Sequence, residues 1–207
     1  PDGGRVRRYT DGVEMGQHAS SDGERRDHAV AGSAAASSAE IACRIAVDRL
    51  TAASILTEAL AEYITPRRAF LRTKPATMRA IGEVWRLGSL LLDTEARLYT
   101  AGHATRSAER GRPGYQSVSK EERREIAAAA LRGGYPIGTA VNYDAIPIPF
   151  PFTPEDFALG NDGPVGLSEG ELRVRWRAGA PLEGAPRLAN YLAERVGLLT
   201  DPPLGAD

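Results

Sequence analysis

Cysteine is almost missing from this chain. Cys43 is the only one in 207 residues, so no intrachain disulfide can form and a cysteine-built zinc site is excluded. Histidine is scarce too. His18, His28 and His103 have no matching acid or thiol at ligand spacing, and no metal is expected. Charge of one sign is not in excess: 26 basic and 27 acidic residues leave a net −1. That balance gives no global pull towards nucleic acid or an anionic membrane, so neither is an expected partner. No apolar run approaches the ~20 residues of a membrane helix. Residues 1–5 carry no apolar h-region, so a secretory signal is not expected and the expected compartment is the cytoplasm. Lysine occurs only at positions 74 and 120, so 26 − 2 leaves 24 arginines. With abundant Ala and Gly, this looks like the codon usage of a GC-rich genome and is not a functional signal.

What remains is a chain with 42% hydrophobic residues, enough for one core but slightly low for folding from end to end. The deficit lies at the start. Residues 1–38 are Gly, Ser, Ala, Asp and Arg with few apolar side chains. Their burial cannot offset an ordering entropy of ~1–2 kcal/mol per residue. The expected organisation is a disordered arm over 1–38 and one domain over 39–207.

Within the domain, Ile41, Ile45, Ala52, Ile55, Leu56, Ala59, Leu60 and Tyr63 recur at three- and four-residue spacing, one stripe of a helix ended by Pro66. Arg67, Arg68, Arg72 and Lys74 make a basic connection with Phe70 as the one interleaved aromatic, too few for a base-stacking platform. Residues 83–92 and 97–105 predict a hairpin around a turn at 93–96. Leu90, Leu91 and Leu92 mark its first strand as covered on both faces. Residues 119–132 predict a helix ended by Gly133-Gly134, and because that glycine pair follows a helix it is no dinucleotide fingerprint. No cofactor is expected. Residues 139–143 predict a short strand, 146–152 an extended Pro-Phe edge segment, and Thr153-Pro154-Glu155-Asp156 a short helix start. Residues 172–177 alternate as a half-exposed strand, and a last helix opens at Pro186 with Leu188, Tyr191, Leu192, the stem of Arg195, and Leu199 on its stripe. The order predicts an α+β fold: a small, mainly antiparallel sheet with a central hairpin at 83–105, packed by three helices.

Three groups of residues could carry function. Arg173, Arg175 and Arg177 would project from one strand face, where they could grip a phosphate or carboxylate or simply face water. Phe150 and Phe152, in the Pro-Phe segment, could meet a partner or lie over the sheet edge. Ser117 and Lys120 stand one helical turn apart, the spacing of a serine nucleophile and a lysine base. The same letters also spell Ser119-x-x-Glu122, a capping box at a helix start.

Gln116-Ser117-Val118-Ser119-Lys120 resembles the nucleophile motif of serine-dependent glutaminases. That resemblance implies Ser117 as nucleophile and Lys120 as base of a small amidohydrolase. Downstream, Glu121-Glu122-Arg123-Arg124-Glu125 is charged and would keep Lys120 in water. A wider stretch, Gly82-Glu83-Val84-Trp85-Arg86-Leu87-Gly88 through Gly111-Arg112-Pro113-Gly114-Tyr115 to Gly133-Gly134, with Tyr191-Leu192-Ala193-Glu194-Arg195-Val196, resembles a family of short uncharacterised proteins of high-GC bacteria. It implies no activity. The expected function is a non-catalytic binding or protein-interaction module for a small anion or a protein partner, with the glutaminase-like hydrolase as the alternative.

Overall fold

The computed structural model describes residues 17–69, 72–111, 117–149, 152–153 and 162–202. In chain order its elements are α1 (Gln17–Ala52), β1 (Glu58–Ile64), β2 (Arg67–Ala69), β3 (Arg72–Lys74), β4 (Thr77–Leu87), β5 (Leu90–Asp93), β6 (Leu98–Thr100), β7 (His103–Arg106), α2 (Val118–Arg132), β8 (Ala140–Tyr143), β9 (Ile146–Pro147), β10 (Val165–Ser168), β11 (Glu171–Val174) and α3 (Leu188–Thr200). The α+β class and the three helices agree with the sequence. The sheet does not. It is seven-stranded, in the order β7-β8-β1-β4-β5-β6-β9, and it is mixed, because β1 and β8 run parallel.

The expected boundary at residue 38 falls inside α1. Gly32, Ala36, Ala39, Cys43, Ala46 and Leu50 are buried along α1, alternating steps of four and three residues. This seam of small side chains faces α3 and lets its Leu188, Tyr191, Leu192 and Val196 into one cluster with them. Ala35 and Ala36, inside the expected arm, are 8% and 6% exposed. Residues 1–16 lie outside the described part of the chain.

The stripe predicted for this helix is corrected in two ways. Ile41 and Ile45 are exposed, at 59% and 53%, because the small residues and not the large ones meet α3. The helix also stops at Ala52, far short of Pro66. Ser54 turns to φ 53, and the amides of Ser54 and Ile55 bond the carbonyls of Thr51 and Leu50 at 2.9 and 3.0 Å. This is a Schellman cap, with Ile55 returning onto the core beside Leu50. The residues beyond it form β1, paired antiparallel to β4 with a bulge between Leu60 and Ala61.

The predicted hairpin over 83–105 is four strands instead of two. A two-residue turn, Gly88-Ser89, divides the first expected strand into β4 and β5, with Leu87 opposite Leu90. Gly88 takes φ 65 at the position where hairpin turns favour glycine. The next turn, 94–96, is held by Asp93, whose carboxylate accepts from the amides of Glu95 and Arg97 at 2.9 and 2.8 Å and from Arg97 Nε at 2.7 Å. Leu90, Leu91 and Leu92 are fully buried. Leu90 and Leu92 join the cluster under α1 and α3, while Leu91 joins Leu60, Val84 and Tyr99 in another. A central strand covered on both sides requires that split.

The basic connection is a small ribbon, β2 with β3, with Arg67, Arg68 and Lys74 exposed. Helix α2 begins one residue before its expected start. It ends at a second Schellman cap, where Gly134 at φ 94 follows Gly133, and the Gly134 and Tyr135 amides bond Leu131 and Ala130. The strand expected over 172–177 stops at Val174. The short helix expected from Thr153 falls outside the described residues. Among the described residues no helix is long and apolar enough to cross a membrane.

Candidate functional site

The Gly88-Ser89 turn is where the sheet meets α3. Tyr191 is buried on α3, and its hydroxyl donates to the Leu87 carbonyl at 3.0 Å and accepts from the Ser89 amide at 3.1 Å. The Ser89 hydroxyl is 3.2 Å away. A Cβ on Gly88 would sit inside the 3.0 Å limit of real contacts with Tyr191 Oη, so glycine is needed there for space as well as for φ. One turn further along α3, Arg195 lies on the same helix face. Its guanidinium stacks 5.1 Å over the Tyr191 ring. Its Nε is buried without a hydrogen-bond partner, and the one carboxylate within ion-pair distance among the described residues is Glu194 at 3.9 Å.

The opposite wall comes from the end of β11. Here the arginine row behaves differently from the expectation. Arg173 is in the strand, and its guanidinium bonds the Ala185 carbonyl and Glu169, each at 2.7 Å. Arg175 follows the strand and clamps the next loop, donating to the carbonyls of Ala180 at 2.7 Å and Gly163 at 2.5 Å. Gly166 leaves room for that guanidinium to cross β10. Both guanidinium groups are tied to backbone carbonyls, although Arg173 Nε is buried without a hydrogen-bond partner. Among the described residues the Arg177 guanidinium makes no such bond, because β11 has ended and the chain has turned: the Ala180 amide bonds the Arg177 carbonyl at 3.2 Å. Its guanidinium stands 4.6 Å over the ring of Trp176. Trp176 is 75% exposed.

Between these walls is a cleft of about 330 Å³ lined by Ser89, Trp176, Pro186, Tyr191, Glu194 and Arg195 among others. It joins one guanidinium not committed to carbonyls, that of Arg195, with the carbonyl-bound Arg175, an open indole and a serine hydroxyl. Periodicity concealed Arg195 and Tyr191 by placing both on the buried stripe of the last helix. The signal that could have raised them is their four-residue spacing, which stacks a cation on an aromatic ring at the surface edge of that stripe.

The other sequence candidates lie elsewhere. Ser117 is the N-cap of α2 at φ −63 and ψ 147, with no side-chain cap bond. Its carbonyl accepts from the Lys120 amide at 2.9 Å, and its hydroxyl lies 3.3 Å from that of Ser119. The Ser119 capping box does not form, since Ser119 is already inside the helix. Ser117 and Lys120 are both exposed, and Gln116 falls outside the described residues. Phe152 is core, at 4% exposed, and Phe150 lies outside the described residues. The Pro-Phe segment pairs with β6 as an edge strand, and Ile146 to Pro149 line an apolar cleft of about 390 Å³. The Cys43 thiol is fully buried, and burial followed by the nearby Glu40 charge pushes its pKa up to about 12. His103 is exposed on the edge strand β7, 5.5 Å from the Tyr143 ring. Among the described residues no three His, Cys, Asp or Glu side chains converge as a metal set.

One buried polar knot was not anticipated. Asn142 is fully buried where β8 runs beside β1. Arg86 Nε and Nη2 donate to its Oδ1 at 3.0 and 2.5 Å, and its Nδ2 donates to Glu58 at 2.8 Å and to the Ala59 carbonyl at 3.2 Å. Every bond ties one strand to another, so the knot fixes the parallel seam.

Compared with known protein families, curated proteins and solved structures, the chain matches none. The cleft's own chemistry therefore carries the functional argument.

Proposed function

We propose that this chain is a non-catalytic binding domain that takes a small anion in the cleft between the Gly88-Ser89 turn, α3 and the loop after β11. The supporting observation is Arg195. Its guanidinium lines a concave surface, its Nε is buried and unpaired, and the nearest carboxylate is 3.9 Å away. Nε itself is covered, but the rest of the side chain is exposed with a single distant carboxylate, and an anion in the cleft forms a charge-assisted bond with that accessible end. The Ser89 hydroxyl, which donates to Tyr191 Oη, can turn to donate to the anion, and Arg175 adds positive charge to the lining. Arg173 and Arg175 keep a part in this reading as the clamps that hold the Trp176 loop in place.

Exposure at Ser117 and Lys120 supports binding over hydrolysis. A lysine base needs a dry, apolar surround to give up its proton at neutral pH. A wet lysine beside a run of charged residues has none.

Thermal unfolding with inorganic phosphate and with citrate tests the proposal, because a ligand that prefers the native state raises the melting temperature. The wild type should gain stability with either anion, and Arg195→Gln should gain much less. Equal responses in the two proteins would remove the cleft from consideration.

A further inference from the structure

The anion cleft has a second feature that a simple anion would not use. Trp176 is 75% exposed, and one of its faces is taken by the Arg177 guanidinium. Exposing an indole to water forgoes the burial that usually holds this side chain inside. The backbone that carries the ring is nevertheless held. Arg175 anchors the loop on both sides of it, at Gly163 and Ala180, and the Gly179 amide bonds the Asp162 carbonyl at 3.4 Å. An open aromatic face lining the same cleft as the Arg195 side chain is a two-part site.

We infer that the natural ligand is a planar aromatic ring carrying a phosphate or carboxylate, with the ring stacked on Trp176 and the anion held by Arg195 and Ser89. This rests on the cleft being an anion site, as proposed above. The ring is specified because guanidinium on the indole's first face strengthens the platform without blocking the second, and aromatic stacking is selective for flat, polarisable partners. A space of about 330 Å³ accommodates one such small molecule and not an extended strand, which needs a succession of platforms.

The test uses the whole chain and three probes: inorganic phosphate, cyclohexyl phosphate and phenyl phosphate. Affinities come from calorimetry, so ring fluorescence plays no part. Phenyl phosphate should bind about 3- to 10-fold more tightly than cyclohexyl phosphate, the gain expected from one stacking contact. Trp176→Ala should erase that ratio by weakening phenyl phosphate more than cyclohexyl phosphate, and its exposed position lets the variant fold. Arg195→Gln should weaken both organic phosphates together. Equal affinity of the two rings in the wild type would overturn the aromatic inference and leave the anion site standing. A preference that survives Trp176→Ala would overturn the platform. Failure of all three probes to bind would overturn both proposals.

Discussion

The contact that shapes the cleft floor can be broken from either side, and the two breaks should not add. Tyr191→Phe removes the hydroxyl that serves the Leu87 carbonyl and the Ser89 amide. Leaving a buried polar group without its partner costs about 1–3 kcal/mol. Gly88→Ala attacks the same bonds from below. Its Cβ falls on Tyr191 Oη and displaces it, and a residue with a Cβ in left-handed geometry costs about 1–2 kcal/mol besides. The single loss should be about 2–5 kcal/mol. In the Tyr191→Phe background the obstructing oxygen is gone. The next ring atom, Cζ, lies 3.5 Å from the new Cβ, an ordinary contact, so Gly88→Ala then costs the backbone share alone, about 1–2 kcal/mol. The two single losses should therefore exceed the double variant's loss by about 1–3 kcal/mol. Equilibrium unfolding in guanidinium, followed by circular dichroism, gives all four values, provided the denaturant slope is constant across the set. Additivity within about 0.5 kcal/mol would mean that the hydroxyl and the glycine do not share a site, and the floor of the cleft would have to be redrawn.

Other parts of the fold make separate predictions. Leu91→Ala, at a fully buried side chain on a central strand, should cost about 2–5 kcal/mol, and a loss below about 1 kcal/mol would place that face of the sheet in water. A chain starting at Ser38 discards the buried methyl groups of Ala35 and Ala36, worth about 0.8 kcal/mol each; it should melt about 2–4 °C lower per kcal/mol lost, and an unchanged melting temperature would restore the boundary expected from composition. Ser117→Ala and Ser119→Ala should each cost less than about 0.5 kcal/mol, since neither side chain makes a cap bond, and glutamine should yield no ammonia; ammonia that disappears with Ser117→Ala would establish the hydrolase instead. Cys43 should resist a thiol reagent until the protein unfolds. Its thiol ionises at about 12 when folded and at an ordinary 9.0 when exposed, so the unfolded state releases the proton first and stability should fall as pH rises past 9.

Legibility in the sequence followed the kind of physical signal each segment carries. The three leucines at 90–92 announced a doubly covered strand because unbroken apolar runs have few other uses. Gly133-Gly134 announced a helix end because φ above zero is cheap only for glycine. Helix α1 misled for the opposite reason. Its buried seam is Gly, Ala and Cys as far as Leu50, small residues that carry little periodic signal, while the strongly scoring Ile41 and Ile45 stand outside. Periodicity finds large side chains and cannot tell a close helix contact built from small ones. The end of α1 was hidden because its left-handed cap residue is Ser54 and not glycine. The parallel β1–β8 pair was hidden because it joins segments more than seventy residues apart, and its ties run through Asn142 and not through any local pattern.

The arginine row shows how side chains read as one row on a strand can take separate partners in the fold. Alternation places Arg173 and Arg175 on one face, but both are half-buried, and a guanidinium at or just past the end of a short strand beside two loops has backbone carbonyls within reach. Intramolecular acceptors are present at high effective concentration, so they capture the donors before any ligand does. Arg177 escapes because the strand stops at Val174 and the turn carries it onto Trp176. Arg195 escapes because its neighbours on α3 are an aromatic face and one distant carboxylate. What separates a structural arginine from an available one is the supply of acceptors around it. That supply depends on the loops and on the crossing of α3 over the Gly88-Ser89 turn, which no window of residues around position 175 or 195 contains.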